Sequence, residues 1–189
     1  MKSIISFYLR FTGKEYSTLH KLLSMVPGFI VFLVISPFVI FLLSSYLSQM
    51  IPLTCPRPFE YVIMAISLII AVSLMNWALF ELWTKGKGTP APITPTSRLV
   101  TSGPYMWCRN PIELGTNIYF LALGIFFDSL VTGILCMFFG LVLGTAYIKI
   151  VEEKEMLVRF GKSYDTYLHS VPFMSFPFFF KMKPGKSNK

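Results

Sequence analysis

The chain has 189 residues, of which 54% are hydrophobic, 16% aromatic and only 14% charged. A soluble domain of this size carries about 25% charged residues, so this composition, with a mean hydropathy of +0.62, excludes an ordinary water-soluble globule and points to a membrane protein. The net charge of +8 does not indicate nucleic acid, because basic residues flanking apolar spans are explained by topology and by attraction to anionic lipid headgroups.

Residues 1–21 interleave Ile4, Ile5, Phe7, Tyr8 and Phe11 with Arg10 and Lys14, the pattern of an interfacial segment lying on the membrane surface. Spans are predicted from Leu22 to Leu47, Pro58 to Trp83, Pro111 to Phe127 and Ser129 to Val151, against about 20 residues needed to cross a bilayer. The third is near the short limit. Asp128-Ser129 is the only polar break between the last two spans. A helical hairpin is therefore expected over residues 111–151, with Asp128 or Ser129 capping its second arm. Gly140 and Gly144 give that arm a small face suited to packing within the hairpin. The expected fold is all-α: one polytopic membrane helical bundle of about four transmembrane helices over residues 1–189, with cytoplasmic amphipathic helices.

Arg57 alone among the 17 Lys and Arg residues falls on the far side of the predicted spans. The positive-inside rule then places both termini and the connection at residues 84–110 in the cytoplasm. That connection contains Gly86, Gly88, Pro90, Pro92 and Pro95, which forbid a continuous helix. Beyond the last span, residues 152–189 are expected to form a cytoplasmic capping helix and a basic tail. Met156, Leu157, Phe160, Tyr164, Tyr167, Leu168 and Val171 recur there at helical spacing, with a helix end at Gly161. The first apolar run is a full span with no small-residue cleavage pattern after it, so no cleaved signal is expected, and the Lys-Ser-Asn-Lys ending carries no prenylation box. Cys55, Cys108 and Cys136 form no CxxC pair, and His20 and His169 stand alone. Neither a disulfide framework nor a metal centre is expected.

Two cytoplasmic segments carry chemistry. The first, Thr101-Ser102-Gly103-Pro104-Tyr105-Met106-Trp107-Cys108-Arg109-Asn110-Pro111, brings a glycine turn, two aromatics and an arginine to the mouth of the third span. Asn110 suits an N-cap and Pro111 a first helical turn. Its plain alternative is a capped span with a snorkelling arginine. The second, Glu152-Glu153, sets adjacent carboxylates beside an apolar span, which is costly unless they are solvated or paired. Its plain alternative is a helix running out into water, compensated by Lys149, Lys154 and Arg159.

Together the two segments resemble the isoprenylcysteine carboxyl methyltransferase family and its phospholipid methyltransferase relatives. The resemblance rests on Thr-Ser-Gly-x-Tyr-x-Trp-x-Arg-Asn-Pro and on Glu152-Glu153 followed by Leu157, Phe160-Gly161, Tyr164, Tyr167 and Val171-Pro172. It covers about half of the chain, from Gly88 through Pro177. It implies an S-adenosylmethionine pocket on the cytoplasmic side, closed by the middle loop and the C-terminal helix. Leu99, Val100, Tyr105, Asn110, Pro111 and Glu152 match the family's cofactor contacts, with Gly103 in the same turn, and Arg109 and Glu153 match polar positions beside the reacting centre. Trp107 and Lys149 are assigned to the substrate, and Tyr105 and Trp107 suit stacking on adenine or facing a sulfonium. The chain departs from its relatives at three points. Glu113 stands where many carry tyrosine, Phe173 where many carry arginine after Val-Pro, and only Lys149 is near the acidic pair.

The expected activity is methyl transfer to a lipid-like acceptor reached from the bilayer, foremost the carboxylate of an isoprenylcysteine-type amphiphile. A phospholipid amine is the alternative, then an NADPH-dependent membrane reductase, then a non-enzymatic scaffold. A carboxylate acceptor needs no base, whereas an amine must lose a proton, for which Glu153 is the expected acceptor.

Overall fold

The computed structural model describes Phe11, residues 16–91 and residues 93–176. Most of the predicted interfacial segment, and the chain beyond Phe176, lie outside the described residues. Every element among the described residues is helical in kind, with no β-strand, and irregular connections join the helices at residues 49–56 and 85–102. Helix α1 (Thr18–Ile30) continues through a π turn (Val31–Ile35) into α2 (Ser36–Ser48), so the first predicted span is one rod. The irregular turn has a cause in the sequence. Pro37 lacks the N–H that would close on the Leu33 carbonyl, and Tyr119 Oη donates to that carbonyl instead, at 3.2 Å.

Helix α3 (Arg57–Thr84) starts with a proline in its first turn. Helices α4 (Pro111–Phe127) and α5 (Leu130–Tyr147) form the expected hairpin. Ser129 caps its second arm, accepting from the Thr132 amide at 3.3 Å. The rod does not end at Val151. It runs on through a second π turn (Ile148–Glu152) into α6 (Glu153–Phe160). Gly161, at φ +53°, then breaks the helix where the sequence predicts, and α7 (Lys162–Ser170) follows.

Among the described residues, three stretches are long and apolar enough to cross a membrane: Thr18–Ser48, Arg57–Thr84 and Leu130–Phe160. The third predicted span, Pro111–Phe127, is a shorter apolar helix, about 25 Å long at 1.5 Å per residue against a hydrocarbon core of about 30 Å. This short helix is nonetheless the centre of the bundle, packed against α3 and α5 and touching α2. Large apolar side chains such as Val34, Leu42, Ile69, Phe80 and Leu143 face outward. Small and polar ones such as Ser44, Ala71, Ala78 and Thr132 are buried, the arrangement expected where lipid is the solvent.

Gly144 serves the hairpin packing that its spacing predicts, because a Cβ there would overlap the Glu113 carboxylate on α4. At the end of the bundle that carries Arg57, carboxylates join helices. Asp128 Oδ2 accepts from Ser45 at 3.4 Å, from Ser48 at 3.3 Å and from Thr132. Glu60 accepts from the Leu130 amide at 2.8 Å and pairs with Arg57 at 2.9 Å.

Candidate functional site

The site forms at the opposite end, where the basic residues gather. The loop between α3 and α4 is pinned on two sides. Thr94 Oγ1 lies 2.6 Å from both Ser24 Oγ on α1 and Thr89 Oγ1. Arg159 of α6 donates to the Thr96 carbonyl and pairs with Glu155 at 2.8 Å. Further along, a 3-10 turn (Gly103–Met106) presents Tyr105. Gly103 is required there on two counts: its φ is +62°, and a Cβ would lie 2.6 Å from the Glu81 side chain. Glu81 organises this turn, accepting from Ser102 at 2.6 Å and pairing with Lys85 at 2.7 Å.

The two motif segments, more than forty residues apart in the sequence, fold against each other. The Arg109 amide donates to the Pro172 carbonyl at 3.1 Å. Asn110 Nδ2 donates to the Phe173 carbonyl at 3.0 Å, and Tyr167 Oη donates to the Tyr105 carbonyl at 2.8 Å. Asn110 therefore holds the N-cap position of α4 without a side-chain capping bond. Its amide ties down the C-terminal segment instead.

Arg109 Nη1 meets Glu153 Oε1 at 3.0 Å, with the two side chains only 7% and 12% exposed. Lys149 Nζ lies 2.8 Å from the same oxygen and 3.0 Å from the other. Phe173 roofs this triad, its ring centroid 5.7 Å from the Arg109 guanidinium and 4.7 Å from Lys149 Nζ. Removing Arg109 would leave the buried Glu153 carboxylate with only the half-exposed Lys149, at a cost in stability. Aromatic cover at position 173 and the basic side chain of Lys149 thus flank the Arg109–Glu153 pair.

Beside the triad lies a cavity of about 290 Å³, close to the lower end of ligand sites at about 300 Å³. Of the residues singled out from the sequence, Leu99, Val100, Tyr105, Arg109, Asn110, Pro111 and Glu152 line it. The other four stand behind its wall. Glu153 and Lys149 fix Arg109, Gly103 makes the turn, and Trp107 packs with Leu74, Cys108, Leu114 and Met174. The cavity runs on toward the membrane between Met25, Phe29 and Phe32 of the first rod and Met75 and Leu79 of α3.

The polar inventory of the wall leaves capacity for a ligand. Arg109 Nε is buried without a hydrogen-bond partner. Among the described residues no side chain bonds to Glu152, and Glu113 receives only the Asn117 amide, at 2.8 Å. Unmet buried polar atoms of this kind are uncommon and call for a partner. An orphaned guanidinium N–H and a free carboxylate suit the carboxylate and the amino or hydroxyl groups of an amino acid–nucleoside ligand. Burial, reinforced by the Glu152 charge, pushes the Tyr105 hydroxyl well above its usual range, so Tyr105 acts as a neutral ring. Burial also pushes the Cys108 thiol up, which removes it as a nucleophile.

Two residues that shape the site, Glu81 and Thr96, went unread in the sequence, and Arg159, read there only as compensation for the acidic pair, ties α6 to the loop through Thr96. Of the two unread residues, only Glu81 left a signal, as a carboxylate inside an apolar span. No curated protein and no solved structure matches the chain. The sequence model of the phospholipid methyltransferase family matches residues 59–163, which embrace Arg109-Asn110-Pro111 and Glu152-Glu153 and amount to more than half of the chain, and the protein belongs to that family.

Proposed function

We propose that this membrane methyltransferase uses S-adenosylmethionine and acts on a lipid-like acceptor that reaches the cavity from the bilayer. One observation carries this reading: the Arg109-Asn110 and Glu152-Glu153 segments share a single cavity whose polar wall is unsatisfied and whose apolar arm leads toward the lipid-facing helices. Orientation follows from the charge asymmetry, with four passes, both termini and the cofactor mouth in the cytoplasm.

Glu152 and the free Arg109 Nε would hold the polar groups of the cofactor, while Leu99, Val100, Tyr105 and Pro111 would cover its base. When bound, the cofactor supplies a methyl carbon on a sulfonium, whose C–S electron pair stays with sulfur. The protein's own contribution is alignment, to reacting distances of about 3–3.5 Å, and exclusion of water. Glu153 and Lys149 act through Arg109 by fixing its guanidinium. Phe173 keeps solvent off that cluster.

The family description favours a phospholipid headgroup over the prenylcysteine carboxylate. Both are tested by supplying purified protein with S-adenosylmethionine and either phosphatidylethanolamine or a prenylcysteine analogue. Methyl transfer to one of them is expected. Transfer to neither, with stabilisation by NADPH, would replace this reading with that of a reductase.

A further inference from the structure

Glu113 is absorbed by none of the roles above. It lies in the first turn of α4, at the inner mouth of the bundle, and lines the same cavity as Glu152. Its carboxylate is seated with some care. Asn117 Nδ2 donates to Oε1 at 2.8 Å, and the opposing helix α5 offers Gly144, where any Cβ would overlap the carboxylate. Among the described residues no cation pairs with it, although five other carboxylates (Glu60, Glu81, Glu153, Glu155 and Asp165) each have a basic partner within 4 Å. The two unpaired cavity carboxylates, Glu113 and Glu152, are near enough to act on each other electrostatically. Two carboxyl groups on one wall, neither paired with a cation among the described residues, favour a cationic occupant between or beside them, whose charge would hold them ionised. Glu153, the proton acceptor expected from the sequence, is not available for that task, because Arg109 and Lys149 occupy its oxygens.

We infer that Glu113, seated by Asn117 and Gly144, is the carboxylate that holds the ammonium of an amine acceptor and takes its proton. The inference rests on the methyltransferase reading and narrows it to amine headgroups. The acceptor ammonium gives one proton to the Glu113 carboxylate, which frees the nitrogen lone pair. That pair forms the new N–C bond to the methyl carbon while the C–S pair leaves with sulfur. The product nitrogen carries the positive charge, and Glu113 returns its proton to water as the site opens. A carboxylate acceptor would gain nothing from Glu113 and would be repelled by it.

The test is Glu113→Gln in the full-length, detergent-purified protein, measured in three ways. Titration with S-adenosylhomocysteine is expected to give wild-type affinity within about threefold, since the amide keeps the shape and the Asn117 contact. Titration with lysophosphatidylethanolamine, without cofactor, is expected to weaken about tenfold or more, in line with the loss of one charge-assisted contact. Methyl transfer to the amine is expected to fall about 100-fold or more, and to recover as pH rises and the free amine becomes abundant. A merely structural role would not produce that pH recovery. Unchanged lysophosphatidylethanolamine binding, wild-type turnover, or wild-type protein that methylates only a prenylcysteine carboxylate would each overturn the inference while leaving the methyltransferase reading intact. Loss of S-adenosylhomocysteine binding in the variant would reassign Glu113 to the cofactor. Failure of the wild-type protein to bind S-adenosylhomocysteine would instead defeat the underlying reading.

Discussion

The two ends of the bundle both bury carboxylates, and they treat them differently. At the end carrying Arg57, Asp128 Oδ2 takes hydroxyls from Ser45, Ser48 and Thr132, while Glu60 takes the Leu130 amide and Arg57. These bonds tie α2, α3 and the hairpin together. At the basic end, Glu153 and Glu155 are spent in the same way on Arg109, Lys149 and Arg159. Glu113 and Glu152 are not spent, and they face a cavity. A buried polar group whose bonds are all made inside the protein contributes to architecture, whereas one left with capacity beside a void costs stability unless a ligand meets it. The contrast separates scaffold from site without appeal to family membership.

Substitutions should divide along the same line. The largest effect is expected at Arg109. Arg109→Ala leaves Glu153 with Lys149 alone and removes the orphaned Nε, so methyl transfer should fall about 100-fold or more, while the protein still inserts and purifies in detergent. Glu152→Ala should weaken S-adenosylhomocysteine by about 10–100-fold, the worth of a hydrogen bond to a charged group, read by calorimetry. At the opposite end, Glu60→Gln should lower unfolding stability by about 1–3 kcal/mol, read by thermal denaturation in detergent, and leave S-adenosylhomocysteine affinity untouched. A loss of affinity in that variant would dissolve the distinction between the two ends. The smallest effect concerns Cys108. Because burial raises its thiol, maleimide should label folded protein there only marginally at neutral pH, and labelling should rise sharply on unfolding.

Much of this was legible in the sequence because a bilayer imposes length and polarity so strictly. Apolar runs near 20 residues read as rods, the Asp128-Ser129 break reads as a hairpin, and Gly161 reads as a helix end. Helix α4 was legible as apolar but not as central, since its packing on α3 and α5 depends on partners far along the chain. The continuation of the last rod from Val151 to Phe160 was hidden, because Glu152-Glu153 looks like an exit into water. Arg109, distant in sequence, is what permits Glu153 to stay buried. Tyr105 and Trp107 could not be told apart from spacing alone. The 3-10 turn between them directs Tyr105 to the cavity and Trp107 to Leu74 and Met174. Asn110 looked like a cap, yet the carbonyl of Phe173 competes for its amide, a contact that no local rule supplies.

The central claim is that the Arg109-Asn110 and Glu152-Glu153 segments enclose one cofactor site. Calorimetric titration of the detergent-purified protein with S-adenosylhomocysteine tests it most directly. Saturable binding to a single site, abolished or greatly weakened in Glu152→Ala and absent with NADPH, is the predicted result; no saturable binding, or binding indifferent to Glu152→Ala, would contradict it.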